Sequence, residues 1–120
     1  MADREVLAAT VERLMRTTRE GNYDEWLTVW ADDAEIEDPI GAPPWRGIEA
    51  IRTDFWEASH GAAPSARFLG DVIVCGNEAI ALLEVEVDAP EGRMTLSPVV
   101  DHFLFDEAGR IKRLRAFYQL

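Results

Sequence analysis

The sequence predicts an α+β domain, with three helices toward the N-terminus and a curved antiparallel sheet after them. Three observations lead there. Residues 3–20 carry apolar side chains at three- and four-residue steps with no proline or glycine among them, the period of a helix buried on one face. From about Ala66 onward the chain reads as four strand-like runs. The links between those runs are short and made of turn residues, Gly76-Asn77, Ala89-Pro90-Glu91-Gly92 and Asp106-Glu107-Ala108-Gly109, which suits antiparallel neighbours.

The first helix, about Asp3 to Glu20, presents Val6, Leu7, Val11, Leu14, Met15 and Thr18, and Gly21-Asn22 ends it. A second helix, Tyr23 to Ala31, presents Trp26, Leu27 and Trp30. A short strand, Ala34–Asp38, leads into a loop at 39–47 rich in proline and glycine. The third helix, Ile48 to Ser59, carries Ile51, Phe55 and Trp56, and Gly61-Ala62-Ala63-Pro64 closes it. The strands follow at Ala66–Cys75, Ala79–Val87, Met94–Phe105 and Ile111–Gln119. Helices packed on the concave side of such a sheet leave an apolar pocket, which aromatic side chains line or fill.

Residues 1–120 make one domain, long enough for a real core. No apolar run approaches the ~20 residues of a membrane span. The start, Met1-Ala2-Asp3-Arg4-Glu5, lacks the basic and apolar regions of a secretory leader, so the chain reads as cytoplasmic. Twenty-three acidic residues against twelve basic ones give a formal net charge of −11, which excludes nucleic acid and anionic membrane as partners. His60 and His102 stand alone, without metal-ligand spacing, and no metal is expected. The single cysteine, Cys75, allows no intrachain disulfide and reads as a buried, inert thiol.

Two carboxylates stand out. In the strand Ala34–Asp38, alternation puts Glu35 and Glu37 on one face, which reads as solvated. Ala34, Ile36 and Asp38 share the other. Asp38 therefore stands on the inward face, at a strand end fixed by Pro39. In Met94–Phe105, Asp101 has Val99 and Phe103 as same-face neighbours. Desolvation there raises its pKa and favours the neutral acid. The plain alternative pairs Asp101 with Arg113 or Arg115, but those arginines alternate with Leu114, Ala116 and Tyr118 and face outward if these three face inward. One carboxylate beside water and one in an apolar setting suit acid–base chemistry near neutral pH.

The run Ala31-Asp32-Asp33-Ala34-Glu35-Ile36-Glu37-Asp38-Pro39-Ile40-Gly41, followed by Gly47 and Ile51-Arg52, resembles bacterial Δ5-3-ketosteroid isomerases. So does Pro98-Val99-Val100-Asp101-His102-Phe103 ahead of Arg115-Ala116-Phe117-Tyr118. The resemblance spans nearly the whole chain. It implies a single ketosteroid isomerase-like domain with the cone-shaped fold of nuclear transport factor 2, a pocket for a small, steroid-like apolar ligand, a homodimer, and no cofactor. By it, Asp38 is the base that moves a proton, and protonated Asp101 donates to the enolate oxygen; the family is itself a known example of a carboxylic acid kept neutral by an apolar site. Leu14 falls where the family has a second donor, a tyrosine. Phe55 and Trp56 occupy the region of a supporting tyrosine, and Trp30, Val99, Phe103 and Tyr118 complete the expected ligand contacts. Indole N–H groups and the Tyr118 hydroxyl are the other donors within reach. Two further functions fit the same residues: a non-catalytic binder of apolar ligands, and a polyketide cyclase or hydrolase.

Overall fold

The computed structural model describes residues 2–120; Met1, the first residue of the stretch read as lacking a leader, lies outside them. Helix α1 (Arg4–Glu20) is capped by Asp3, whose side chain accepts from the Val6 N–H at 3.0 Å. It ends at Gly21, left-handed at φ +68°, whose N–H reaches back to the carbonyls of Thr17 and Thr18. Leu7, Val11, Leu14 and Met15 form its buried stripe.

Helix α2 (Tyr23–Leu27) is shorter than the sequence suggested. Thr28 closes it, donating its hydroxyl to the Glu25 carbonyl, and Trp30 and Ala31 already belong to strand β1 (Trp30–Glu37). Pairing of Trp30 with Ile111 overrides their local helical pattern. Strand β2 (Trp45–Arg46) lies inside the expected loop and pairs antiparallel with Glu35 and Ile36. The third helical region is α3 (Ile48–Ala50), a π-helical stretch (Ile51–Phe55) and α4 (Trp56–Gly61).

The expected strand at 66–75 is two strands, β3 (Ser65–Phe68) and β4 (Ile73–Cys75), both paired with β5 (Glu78–Ala89). Cys75 is exposed, not buried: in β4 it shares the outward face with Ile73 while Val74 points inward. Strands β6 (Gly92–Phe105) and β7 (Ile111–Phe117) complete a seven-stranded sheet in the order β2-β1-β7-β6-β5-β3, with β4 off this path on β5. The sheet is mixed, because β1 runs parallel to β7.

Between Leu83–Val99 and Val85–Leu96, strand β6 contains one residue more than β5. This bulge lies at Ser97-Pro98, where proline cannot donate to the ladder. It reverses the side-chain parity along β6, so that Leu96 joins Val99 and Asp101 on the inner face. The core fills the concave side, with Trp26, Ile36, Ile51, Leu83, Phe103 and Ile111 all at 1% exposure or less. The outer face of β6 is only half-covered at Val100, His102 and Leu104. Among the described residues, no helix is long and apolar enough to cross a membrane.

Candidate active site

The helices and the concave face of the sheet enclose a cavity of about 280 Å³. Its wall is apolar over most of its area, with Leu14 and Met15 from α1, Phe55 from the π-helical stretch, and Leu83, Val99 and Leu114 from the sheet. Asp38, Asp101, Tyr118 and the indole of Trp30 interrupt that wall.

Asp101 comes from the middle of β6, opposite Ala81 on one side and Ala116 on the other. Two small neighbours leave room above the carboxyl. It is 8% exposed. Burial pushes its pKa up to about 8, and the nearby charge of Asp38 pushes the same way. Near neutral pH this favours the neutral acid at Asp101.

Asp38 follows the last residue of β1. Its Oδ1 accepts a hydrogen bond from the Tyr118 hydroxyl at 2.7 Å. Burial raises its pKa, and the Tyr118 hydrogen bond lowers it by favouring the carboxylate. The Tyr118 pKa is itself raised, first by burial and then by donation to Asp38, so the phenol keeps its proton.

Glu37 holds this arrangement from outside. Its Oε1 accepts from Arg115 Nε at 3.1 Å and its Oε2 from the Gly41 N–H at 3.0 Å. The Gly41 hydrogen bond and then Arg115 lower its pKa. Gly41 sits at φ +94°, where a side chain would strain the turn. Glu37 thus ties the turn after Asp38 to β7, the strand that leads to Tyr118. Strand alternation alone marks Glu37 as a solvated side chain; the four-residue step from Glu37 to Gly41 is the only local signal of its other role. Arg115 faces outward with Glu37, while Leu114 and Ala116 are buried, so neither Arg113 nor Arg115 is an ion-pair partner of Asp101.

Of the expected ligand contacts, Leu14, Trp30, Phe55, Val99 and Tyr118 line the cavity with both carboxylates. Phe103 does not. It is fully buried and stacks on Phe105, with centroids 6.1 Å apart. Trp56 turns away from the cavity to pack on Trp26 (4.8 Å) and His60 (5.1 Å). Adjacent helical positions point about 100° apart, so Phe55 and Trp56 cannot both face the cavity. Trp30 is 2% exposed, and its Nε1–H has no acceptor among the described residues. Trp26, Trp45 and Leu96 also line the cavity, Leu96 through the β6 bulge. No group of three histidine, cysteine or carboxylate side chains that could hold a metal forms among the described residues.

A curved sheet wrapped around helices, with an acidic pair inside an apolar cavity, defines a cone-shaped α+β protein of the nuclear transport factor 2-like class. The chain belongs to the SnoaL-like domain family, whose model matches residues 11–114. It is 34% identical over 110 residues to a steroid Delta-isomerase of Nocardioides simplex, covering 92% of this chain and 87% of that protein. Among solved structures it is similar to SalBIII, an epoxide hydrolase/cyclase-like enzyme in pyran ring formation in the polyether salinomycin. The TM-score is 0.89 at 24% identity, over 100% of this chain and 95% of that one. It is also similar to Rv0760c of Mycobacterium tuberculosis in complex with estradiol-17beta-hemisuccinate, with a TM-score of 0.82 at 21% identity, over 96% and 95% of the two chains. A computationally designed 17-OHP binder has a TM-score of 0.82 at 24% identity, over 93% of this chain and 90% of that one.

Proposed function

We propose that the chain acts as a single ketosteroid isomerase-like domain, a cofactor-free steroid delta-isomerase of the cytoplasm. It moves a carbon–carbon double bond into conjugation with a ketone. The observation that carries this reading is the pair Asp38 and Asp101 in one apolar cavity, with Asp101 kept neutral by burial and Asp38, also raised by burial, accepting from Tyr118 a hydrogen bond that favours its carboxylate form. Asp38 takes a proton from the carbon between the ketone and the double bond. Negative charge moves onto the ketone oxygen, where the Asp101 O–H meets it. Asp38 then returns the same proton two carbons along, and the double bond shifts. Preorganised donors aimed at that oxygen are usually the largest catalytic term. The 34% identity to a steroid Delta-isomerase supports the reaction class.

Leu14 supplies no donor, so the oxyanion site departs from the tyrosine-containing arrangement the resemblance implies. Trp30 takes the second place in this reading. Its buried indole N–H lacks an acceptor, a deficit worth ~1–3 kcal/mol that a ligand oxygen relieves. Conversion of 5-androstene-3,17-dione, followed by the absorbance of the conjugated product, tests the assignment. Asp38→Asn is expected to lower the rate ~10²–10⁴-fold, and Trp30→Phe to lower kcat ~10²-fold with little change in KM. No conversion by the unaltered protein at high concentration sinks the isomerase reading.

The leucine at position 14 also favours a second reading, a binder that holds steroid-like ligands without turning them over. Tight binding of the phenolic steroid equilenin with no isomerisation distinguishes it. A cyclase or hydrolase would use the same two carboxylates on an epoxide. In either case the acting form is a homodimer, supported by the apolar convex face at Ile73, Ile80, Leu82 and Phe117.

A further inference from the structure

The cavity volume of about 280 Å³ lies just below the ~300–1,000 Å³ of small-molecule pockets. A larger ligand leaves part of itself outside. On the β3 side the rim is formed by Ala58, which is exposed, and by half-buried Ser59, Ala62, Pro64 and Ala66. Next to this rim, between α1 and β3, runs a second groove, and Met15 and Ala66 line both it and the cavity.

The charge of this groove runs against that of the molecule. Arg13, Arg16, Arg19 and Arg67 line it against only Glu12 and Glu25, in a chain of formal net charge −11. Two of the arginines are satisfied. Arg16 pairs with Glu20 at 3.0 Å and with Glu25, and Arg67 pairs with Glu84. Among the described residues, Arg13 and Arg19 make no ion pair, and Arg13 Nε is buried without an acceptor. Arg13, Arg16 and Arg19 repeat at three-residue steps on one side of α1, where like charges repel. Glu12 offsets one of the two remaining charges.

We infer that this groove receives a carboxylate carried on a flexible tail of the cavity's ligand. The ring system stays inside the cavity, and an acidic side chain passes Ala66 to reach Arg13 and Arg19. The guanidinium fork matches a carboxylate in a way that a lone ammonium does not. The inference rests on the reading of the cavity as a site for steroid-like ligands and adds to it a preference for ligands that carry an acid.

Tryptophan-fluorescence titration tests it with two probes: a 3-oxo steroid bearing a carboxylic acid side chain on ring D, and the methyl ester of the same compound. The acid is expected to bind about tenfold more tightly than the ester at low salt. The advantage shrinks at about 0.5 M NaCl, because exposed charges are screened. Arg13→Gln, and separately Arg19→Glu at an exposed position that does not burden folding, bring the acid's Kd to that of the ester. Equal binding of acid and ester by the unaltered protein overturns the inference. So does a ratio that neither substitution changes, or binding of neither probe. The ratio is read without turnover. Acid preference without isomerisation leaves this inference standing and removes the isomerase reading, and isomerisation of a neutral steroid without acid preference does the reverse.

Discussion

Asp101 keeps its proton up to about 8 in the folded chain because its charged form would lose its water. In the unfolded chain the same group ionises near its ordinary value of 3.8. Across that window the folded state binds more protons. Its contribution to stability is complete below the unfolded value, declines as pH rises, and is exhausted above about 8. Asp38, also raised, adds the same sign. Thermal unfolding of the parent and of Asp101→Asn at pH 5 and pH 8 checks this. The parent is expected to lose at least ~3 °C more than the variant between the two, and parallel behaviour would contradict a buried neutral acid. The rate follows the same groups. With Asp38 as base and Asp101 as donor, as proposed, activity is expected to rise with pH as Asp38 ionises and to fall as Asp101 ionises near about 8, giving a bell-shaped profile. Tyr118→Phe removes the donor that favours ionised Asp38, so the acidic limb should move to higher pH. An unmoved limb would mean that another group is the base.

At the scale of elements, the aromatic residues of α2 and the third helical region form the roof of the cavity. Trp26 lies at the centre, against Trp30 (5.5 Å), Trp56 (4.8 Å) and Phe55 (6.2 Å). Trp26→Ala is expected to cost about 3–5 kcal/mol in denaturant unfolding; a loss under about 1 kcal/mol would show that the cluster collapses to fill the gap. These elements also show what the sequence discloses. Alternation in Ala34–Asp38 and the α1 stripe are legible because one face is buried and the other wet, and the period records that difference. Three features are not. The β6 bulge reverses parity beyond Pro98, the π-helical stretch shifts the direction of side chains by one residue, and Trp30 joins β1 through a partner more than eighty residues away. In the candidate site, both carboxylates can be read from parity. The Tyr118–Asp38 hydrogen bond and the Glu37 clamp depend on strand register between β1 and β7, which short turns do not fix.

For the whole molecule, strand register places exposed apolar residues of neighbouring strands beside one another. Ile73 faces Ile80, which faces His102; Leu82 faces Val100, which faces Phe117. Ile73 is 64% exposed and Leu82 40%. A sheet with one face on its core tolerates water on the other, and the proposed homodimer would cover these apolar side chains. Ile80→Asp combined with Leu82→Asp should convert a dimer into a monomer in sedimentation equilibrium. A parent that sediments as a monomer would refute the homodimer.

The π-helical stretch at Ile51–Phe55 has a consequence for how the cavity can change. Such a stretch amounts to one residue inserted into an α-helix. Removing one residue there would restore regular helix while the helix beyond it kept roughly its bearing, because the wide turn already absorbs the extra residue. The change would fall on the wide turn itself, where Phe55 meets the cavity and packs on Trp45. A one-codon deletion outside the sheet would thus reshape one wall of the cavity while leaving Asp38 and Asp101 where the strands put them. The shape of the ligand and the chemistry performed on it are separable in this fold, and the boundary between them runs through this stretch of helix.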